Sequence, residues 1–154
     1  MNWGHLFFKF DGRLNRARFW IAALVFAVIN VVLAILGYVT DQSGVFQALN
    51  GMLSIVILIA GIAVGIKRLH DRNKSGWYLL LFYFVPGVLA ALSVLIGEFM
   101  EDSSIIAAVL ALLAVALMVW AFVELGCLRG TVGVNRYGPD PVAPATIPPV
   151  RLPT

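Results

Sequence analysis

The sequence predicts an all-α membrane protein, a bundle of four transmembrane helices, and three observations lead there. Of its 154 residues, 61% are hydrophobic and only 12% are charged, against about 45–50% and about 25% in soluble domains. The apolar residues gather into four runs, each long enough to supply the ~20 residues that cross ~30 Å of hydrocarbon. Every Lys and Arg falls before the first run, between the second and third, or after the fourth.

The first run covers residues 19–39. Lys9, Arg13, Arg16 and Arg18 precede it, and Thr40-Asp41-Gln42-Ser43-Gly44 closes it as a turn. It is too long for the apolar stretch of a signal peptide and reads as a retained span. The second run covers 46–66 and stops at Lys67-Arg68. The third covers 77–97, before Glu98, Glu101 and Asp102, and the fourth covers 104–128, stopping at Arg129. None has the strict alternation of a barrel strand.

With four spans, all three basic segments fall on one side. The positive-inside rule makes that side cytoplasmic and puts both termini there. Three or five spans would scatter the basic clusters across both faces, so the charge pattern checks the span count independently. Residues 1–138 read as one membrane domain. Residues 139–154 hold Pro139, Pro141, Pro144, Pro148, Pro149 and Pro153, a density that ends helix and sheet alike and predicts an extended cytoplasmic tail.

Ahead of the first span, Trp3, Phe7, Phe10 and Leu14 recur at helical spacing, with Lys9, Arg13 and Arg16 on another stripe. That predicts an N-terminal helix lying in the headgroup region, aromatic face down. Within the spans, Asn30, Asn50, Ser54 and Ser93 are expected to hydrogen-bond to neighbouring helices. Glu124, about one turn from the end of span four, is expected to pair with a loop arginine. Gly61 and Gly65 form a G-x-x-x-G in span two, and Pro86-Gly87 predicts a kink in span three. The single cysteine, Cys127, excludes an intrachain disulfide and a cysteine-built metal site.

The loop Lys67-Arg68-Leu69-His70-Asp71-Arg72-Asn73-Lys74-Ser75-Gly76-Trp77 crowds four cations at the membrane surface, each worth ~1 kcal/mol toward an anionic leaflet. Ser75 is placed to cap span three and Trp77 to anchor it at the interface.

Three segments together resemble a known family: Phe10-Asp11-Gly12-Arg13-Leu14-Asn15-Arg16 leading into Phe19-Trp20; Arg68-Leu69-His70-Asp71 with Ser75-Gly76-Trp77; and Gly133-Val134-Asn135-Arg136-Tyr137-Gly138-Pro139-Asp140-Pro141. The chain is similar over about residues 7–141 to the DUF805, or YhaH-like, small bacterial inner-membrane proteins, and departs from them at Arg72-Asn73-Lys74. The resemblance implies a bacterial inner-membrane location and no particular activity.

All three motifs fall on the side assigned to the cytoplasm, so one polar cap is expected. Arg13, Arg16, Arg68, His70, Arg72 and Arg136 are the candidate binding residues for an anionic headgroup. Asp11, Asp71 and Asp140 are the acids expected to hold those arginines. The competing reading makes the cap an ion-pair network that only fixes the helices. The expected activity is non-enzymatic, with the cap contacting membrane lipids, chiefly anionic phospholipid, or a protein partner; a homo-oligomer fits too, and no nucleic acid, metal or cofactor is called for. A small-solute or ion transporter is the first alternative; it needs an oligomer and a path through Asn30, Asn50, Pro86 and Glu124. A lipid-headgroup-modifying enzyme using His70 and Asp71 is the second, and no catalytic set or metal spacing accompanies that pair.

Overall fold

The computed structural model describes residues 3–41, 43–99 and 104–142. They form five helices: α1 (Trp3–Phe8), α2 (Arg16–Val39), α3 (Gly44–Asp71), α4 (Leu80–Phe99) and α5 (Ser104–Cys127). The last four are long and apolar enough to cross a membrane, and no β-strand occurs among the described residues.

The first two spans begin where a polar side chain satisfies the open backbone groups of a helix terminus. Asn15 Oδ1 accepts from the Arg18 amide at 2.9 Å to begin α2. Thr40 Oγ1 donates to Leu36 O at 2.8 Å at its end. Ser43 Oγ accepts from the Phe46 amide to begin α3. That helix closes in a Schellman turn: the Lys74 amide donates to Leu69 O at 2.9 Å and the Asn73 amide to His70 O at 3.0 Å. Asn73 sits there at φ +57°, a left-handed conformation that asparagine tolerates better than most residues. Arg72-Asn73-Lys74 forms this turn.

Two helices carry a wider turn. The first turn of α4, Leu80–Phe84, is π-helical and directly precedes Pro86, whose ring and missing N–H disturb the regular ladder one turn back. The second, Val123–Cys127, ends α5 and was not foreseen from the sequence. It turns Gly126 O toward α2, where the Trp20 indole donates to it at 3.0 Å.

The core lies at one end of the bundle. Leu69, Leu79, Phe82, Ala121 and Leu125 are buried together where α3 ends, α4 begins and α5 ends. Leu6, Leu14, Ala22 and Val64 form an adjoining cluster that includes the N-terminal segment. Further along, α4 and α5 pack as a hairpin, joined by Ser93 Oγ donating to Ala107 O at 2.8 Å. Most side chains elsewhere on the spans are exposed, the arrangement expected where lipid is the solvent.

Two expectations are corrected. The N-terminal helix stops at Phe8, and Gly12 at φ +89° breaks any continuation. Leu6 and Leu14 are then buried against the bundle while Phe8 and Phe10 stay exposed, so no single aromatic face runs through 3–16. Asn30 and Ser54 do not bond across helices: each donates to the carbonyl one turn back in its own helix, Phe26 O and Asn50 O, both at 2.8 Å. Among the described residues, Ser93 is the one of the four polar span residues that bonds to a neighbouring helix. At the start of the expected tail, Asp140 accepts from the Gly133 and Val142 amides; residues 143–154, with Glu101 and Asp102, lie outside the described residues.

The close approach of α2 and α5 rests on Gly126. A Cβ there would lie 2.7 Å from the Trp20 ring, which is rigid and cannot yield cheaply. Gly126→Ala is expected to destabilise the protein by about 1–3 kcal/mol through overpacking. Gly61→Ala, with nothing within 4 Å, is expected to be near neutral. Thermal unfolding in detergent compares them.

Candidate functional site

The three motif segments do converge, at the end of the bundle where α3 and α5 finish. Two helix C-termini there present carbonyls without intrahelical partners and the negative ends of their dipoles. The cationic side chains answer that need first.

Arg68 is fully buried, 0% exposed. Its Nε donates to Leu125 O at 2.6 Å, Nη2 donates to Leu128 O, and Nη1 donates to Asp71 Oδ2 at 2.7 Å and reaches Leu14 O at 3.5 Å. One guanidinium therefore caps α5 from α3 and holds the N-terminal segment. Arg13 enters from that segment. It pairs with Asp71 Oδ1 at 3.0 Å and donates to Thr131 O, to Gly133 O at 2.6 Å and to Gly138 O at 3.3 Å. Asp71 thus sits between two arginines, one carboxylate oxygen for each, and all three are buried. The Asp71 backbone carbonyl accepts from the Thr131 amide at 2.8 Å and from its hydroxyl at 3.1 Å. Gly130 passes so close that any Cβ would collide with the Asp71 carboxylate.

A second network flanks the first. Glu124 Oε1 accepts from Arg72 Nε at 3.0 Å and from Lys74 Nζ at 2.9 Å, the ion pairing expected for this residue. Arg72 Nη1 also donates to Arg129 O at 2.6 Å. Lys67 is buried and donates to Leu6 O, fixing α1.

The Asn135–Gly138 turn closes over the end of α3. Asn135 Nδ2 donates to His70 O at 3.0 Å, and Arg136 donates to Asn73 O at 3.1 Å. The Tyr137 ring stacks on His70 with centroids 3.7 Å apart and planes 6° from parallel, and the Arg136 guanidinium lies 4.7 Å from the Tyr137 ring centre. His70 Nδ1 is 3.3 Å from Gly12 O.

The sequence's candidates therefore divide. Arg13, Arg68 and Asp71 meet, but their polar atoms point inward at one another and at backbone carbonyls. Arg72 is tied to Glu124. His70 and Asp71 engage different partners and form no acid–base pair with each other. Asp11 and Asp140 make no ion pair with an arginine among the described residues. Asp140 instead accepts from the amides of Val142 at 2.9 Å and Gly133 at 3.1 Å, which holds its pKa below the ordinary carboxylate range. Asn30 is exposed on α2 while Glu124 is held in the cap, so the residues of the transport path are not gathered.

Arg16 remains exposed at the start of α2. With Arg129 it borders a cleft of about 170 Å³ that also touches Asn15, Asp71, Gly130, Asp140 and Val142. Neither side chain is hydrogen-bonded among the described residues. Arg129 was not among the sequence's candidates; its signal was its place directly after the last span.

A family model described as a protein of unknown function (DUF805) matches residues 7–139. The chain is similar to inner membrane protein YhaI of Escherichia coli K12, with 33% identity over 136 residues, covering 86% of this chain and 85% of that protein. It is 28% identical to inner membrane protein YhaH of the same organism, over 86% of each chain. It is 31% identical to the uncharacterized protein YiiR, again over 86% of each. No solved structure matches.

Removing the shared carboxylate leaves two buried guanidiniums facing each other. Asp71→Ala is expected to cost about 3–5 kcal/mol, the penalty for breaking a buried pair from one side. Asp11→Ala, at an exposed position, is expected to stay within about 0.5 kcal/mol. Chemical unfolding of the two variants in one detergent measures the difference.

Proposed function

The chain belongs to the DUF805 family, and from that premise we propose that it is a non-enzymatic inner-membrane protein whose cytoplasmic cap holds an anionic phospholipid headgroup at Arg16 and Arg129. The orientation follows from the positive-inside rule: the cap collects the basic segments, and every charged side chain in the opposite loops is acidic. Both termini then face the cytoplasm.

One observation carries the binding site. Arg13, Arg68 and Arg72 are engaged inside the protein, while Arg16 and Arg129 border the same cleft with their guanidiniums unbonded among the described residues. The acids beside that cleft offset them only in part: Asp71 is shared by two arginines, while Asp140, kept ionised by two amides, places one negative charge near Arg129. A phosphate has the charge and the acceptor oxygens to bridge two guanidinium forks. Arg136, exposed beside Tyr137, adds to the same field. The reading is non-enzymatic because His70 and Asp71, the acid–base pair the sequence offers, are both engaged in holding segments together.

The test is lipid retention. Protein purified with phosphatidylglycerol and phosphatidylcholine in equal amounts is expected to keep the anionic lipid preferentially in native mass spectrometry. Each cation is worth ~1 kcal/mol at an anionic surface, so Arg16→Ala with Arg129→Ala is expected to reduce that preference by at least about tenfold. The unfolding midpoint should not move. Unchanged preference in the double variant contradicts the proposal.

A further inference from the structure

We propose that the long cleft between α3 and α4 is a lipid site, which takes a phospholipid acyl chain along its apolar wall and the headgroup at the His70–Tyr137 end. This site is separate from the Arg16–Arg129 cleft and does not depend on it.

The cleft exists because α3 and α4 diverge. They touch at Gly65, where the Leu79 side chain fills the space a Cβ would occupy. Beyond that point, no packing joins them along their length among the described residues, whereas α4 and α5 pack closely. The resulting space measures about 940 Å³, near the upper end of the ~300–1,000 Å³ of ordinary ligand pockets. It runs along α3 from Ile57 to His70, about 20 Å at 1.5 Å per residue.

Its lining changes along that length. The remainder is an open apolar groove, with the exposed side chains of Leu58, Ile62, Leu80 and Phe84 on its walls, and a Cβ on Gly61 would meet nothing within 4 Å. The end nearest the cap is made by His70, Ser75 and Tyr137, with Trp77 at the rim, 78% exposed as an interfacial anchor. Nδ1 of His70 donates to Gly12 O, so Nε2 of the neutral ring is left as an acceptor for a headgroup hydroxyl, such as those of phosphatidylglycerol. The Arg136 guanidinium beside Tyr137 supplies positive charge at this end and has one donor on Asn73 O. An apolar channel with a polar, cationic mouth is complementary to a phospholipid. It is a poorer match for a transmembrane helix, which needs an apolar wall across the whole ~30 Å of hydrocarbon; this wall ends after about 20 Å on a ring pair.

The probe is phosphatidylglycerol carrying a diazirine in one acyl chain, present in vesicles of phosphatidylethanolamine and phosphatidylglycerol that hold the full chain. After illumination, adducts are expected to concentrate on Leu58, Ile62, Leu80 and Phe84 rather than on the exposed face of α5 at Leu112 and Val119. Gly61→Trp, which fills the groove, is expected to lower the cleft adducts about tenfold and to leave those on α5 unchanged. Arg16→Ala with Arg129→Ala should leave the cleft adducts intact, so failure of the cap proposal is distinguishable from failure of this one. Uniform labelling of all lipid-facing surfaces in the unaltered protein overturns the inference without reference to any variant. So does efficient disulfide crosslinking of Gly61→Cys in a Cys127→Ser background, which would show a second copy in the cleft.

Discussion

The guanidinium of Arg68 is the point through which the chain is tied together. It lies on the last turn of α3, yet three of its contacts are to other segments: two carbonyls at the end of α5 and one in the N-terminal loop. Helices α3 and α5 both finish at this end, so their open carbonyls and dipole ends crowd one region that a membrane-facing bundle must keep satisfied. A planar fork with several fixed donors answers several carbonyls at once, where an ammonium answers as a point charge. Asp71, three residues on, compensates the buried charge and recruits Arg13 as a second fork for the 131–138 turn. The arrangement turns a liability, several unsatisfied carbonyls and three buried ions, into the junction that orders both chain ends.

That junction explains why the packed core sits at one end only. Where the network fixes the helices, Leu69, Phe82 and Leu125 pack together. Away from it, lipid is as good a solvent for leucine as another helix, and among the described residues the closest packing is between α4 and α5. The divergence of α3 from α4 is the consequence, and the cleft between them is its visible result. The wide turn at Val123–Cys127 belongs to the same logic: it offers Leu125 O to Arg68 and Gly126 O to Trp20, which a regular helix end would have aimed along its axis.

The four spans were legible in the sequence because length and hydropathy are local properties, and the distribution of Lys and Arg tested their number independently. The pairing of Glu124 was legible for a similar reason: a carboxylate one turn inside a span needs a cation, and only the nearby basic segments hold one. The direction of each arginine was not legible. Arg13, Arg68 and Arg16 look alike as residues beside a membrane, and only the fold separates the buried forks from the exposed one. Asp71 and Asp140 likewise look alike, but one serves guanidiniums and the other backbone amides. The interfacial helix failed because helical spacing from Trp3 to Leu14 ignored Gly12, whose left-handed backbone sends Leu14 into the bundle. Asn30 and Ser54 were expected across an interface, yet a carbonyl of the same helix is always within reach.

The central claim is that Arg68 acts by the geometry of its fork and not by its charge alone. Unfolding free energy in detergent for Arg68→Lys, with Arg18→Lys at an exposed position as reference, separates the two. Hydrogen bonds from a charged group are worth about 1.5–3 kcal/mol each, and lysine cannot reach both α5 carbonyls and Asp71 together. The account predicts a loss of at least about 2 kcal/mol for Arg68→Lys and essentially none for Arg18→Lys. Equal stability of the two variants would mean that any cation suffices at this position, and the junction described above would not be what holds the bundle together.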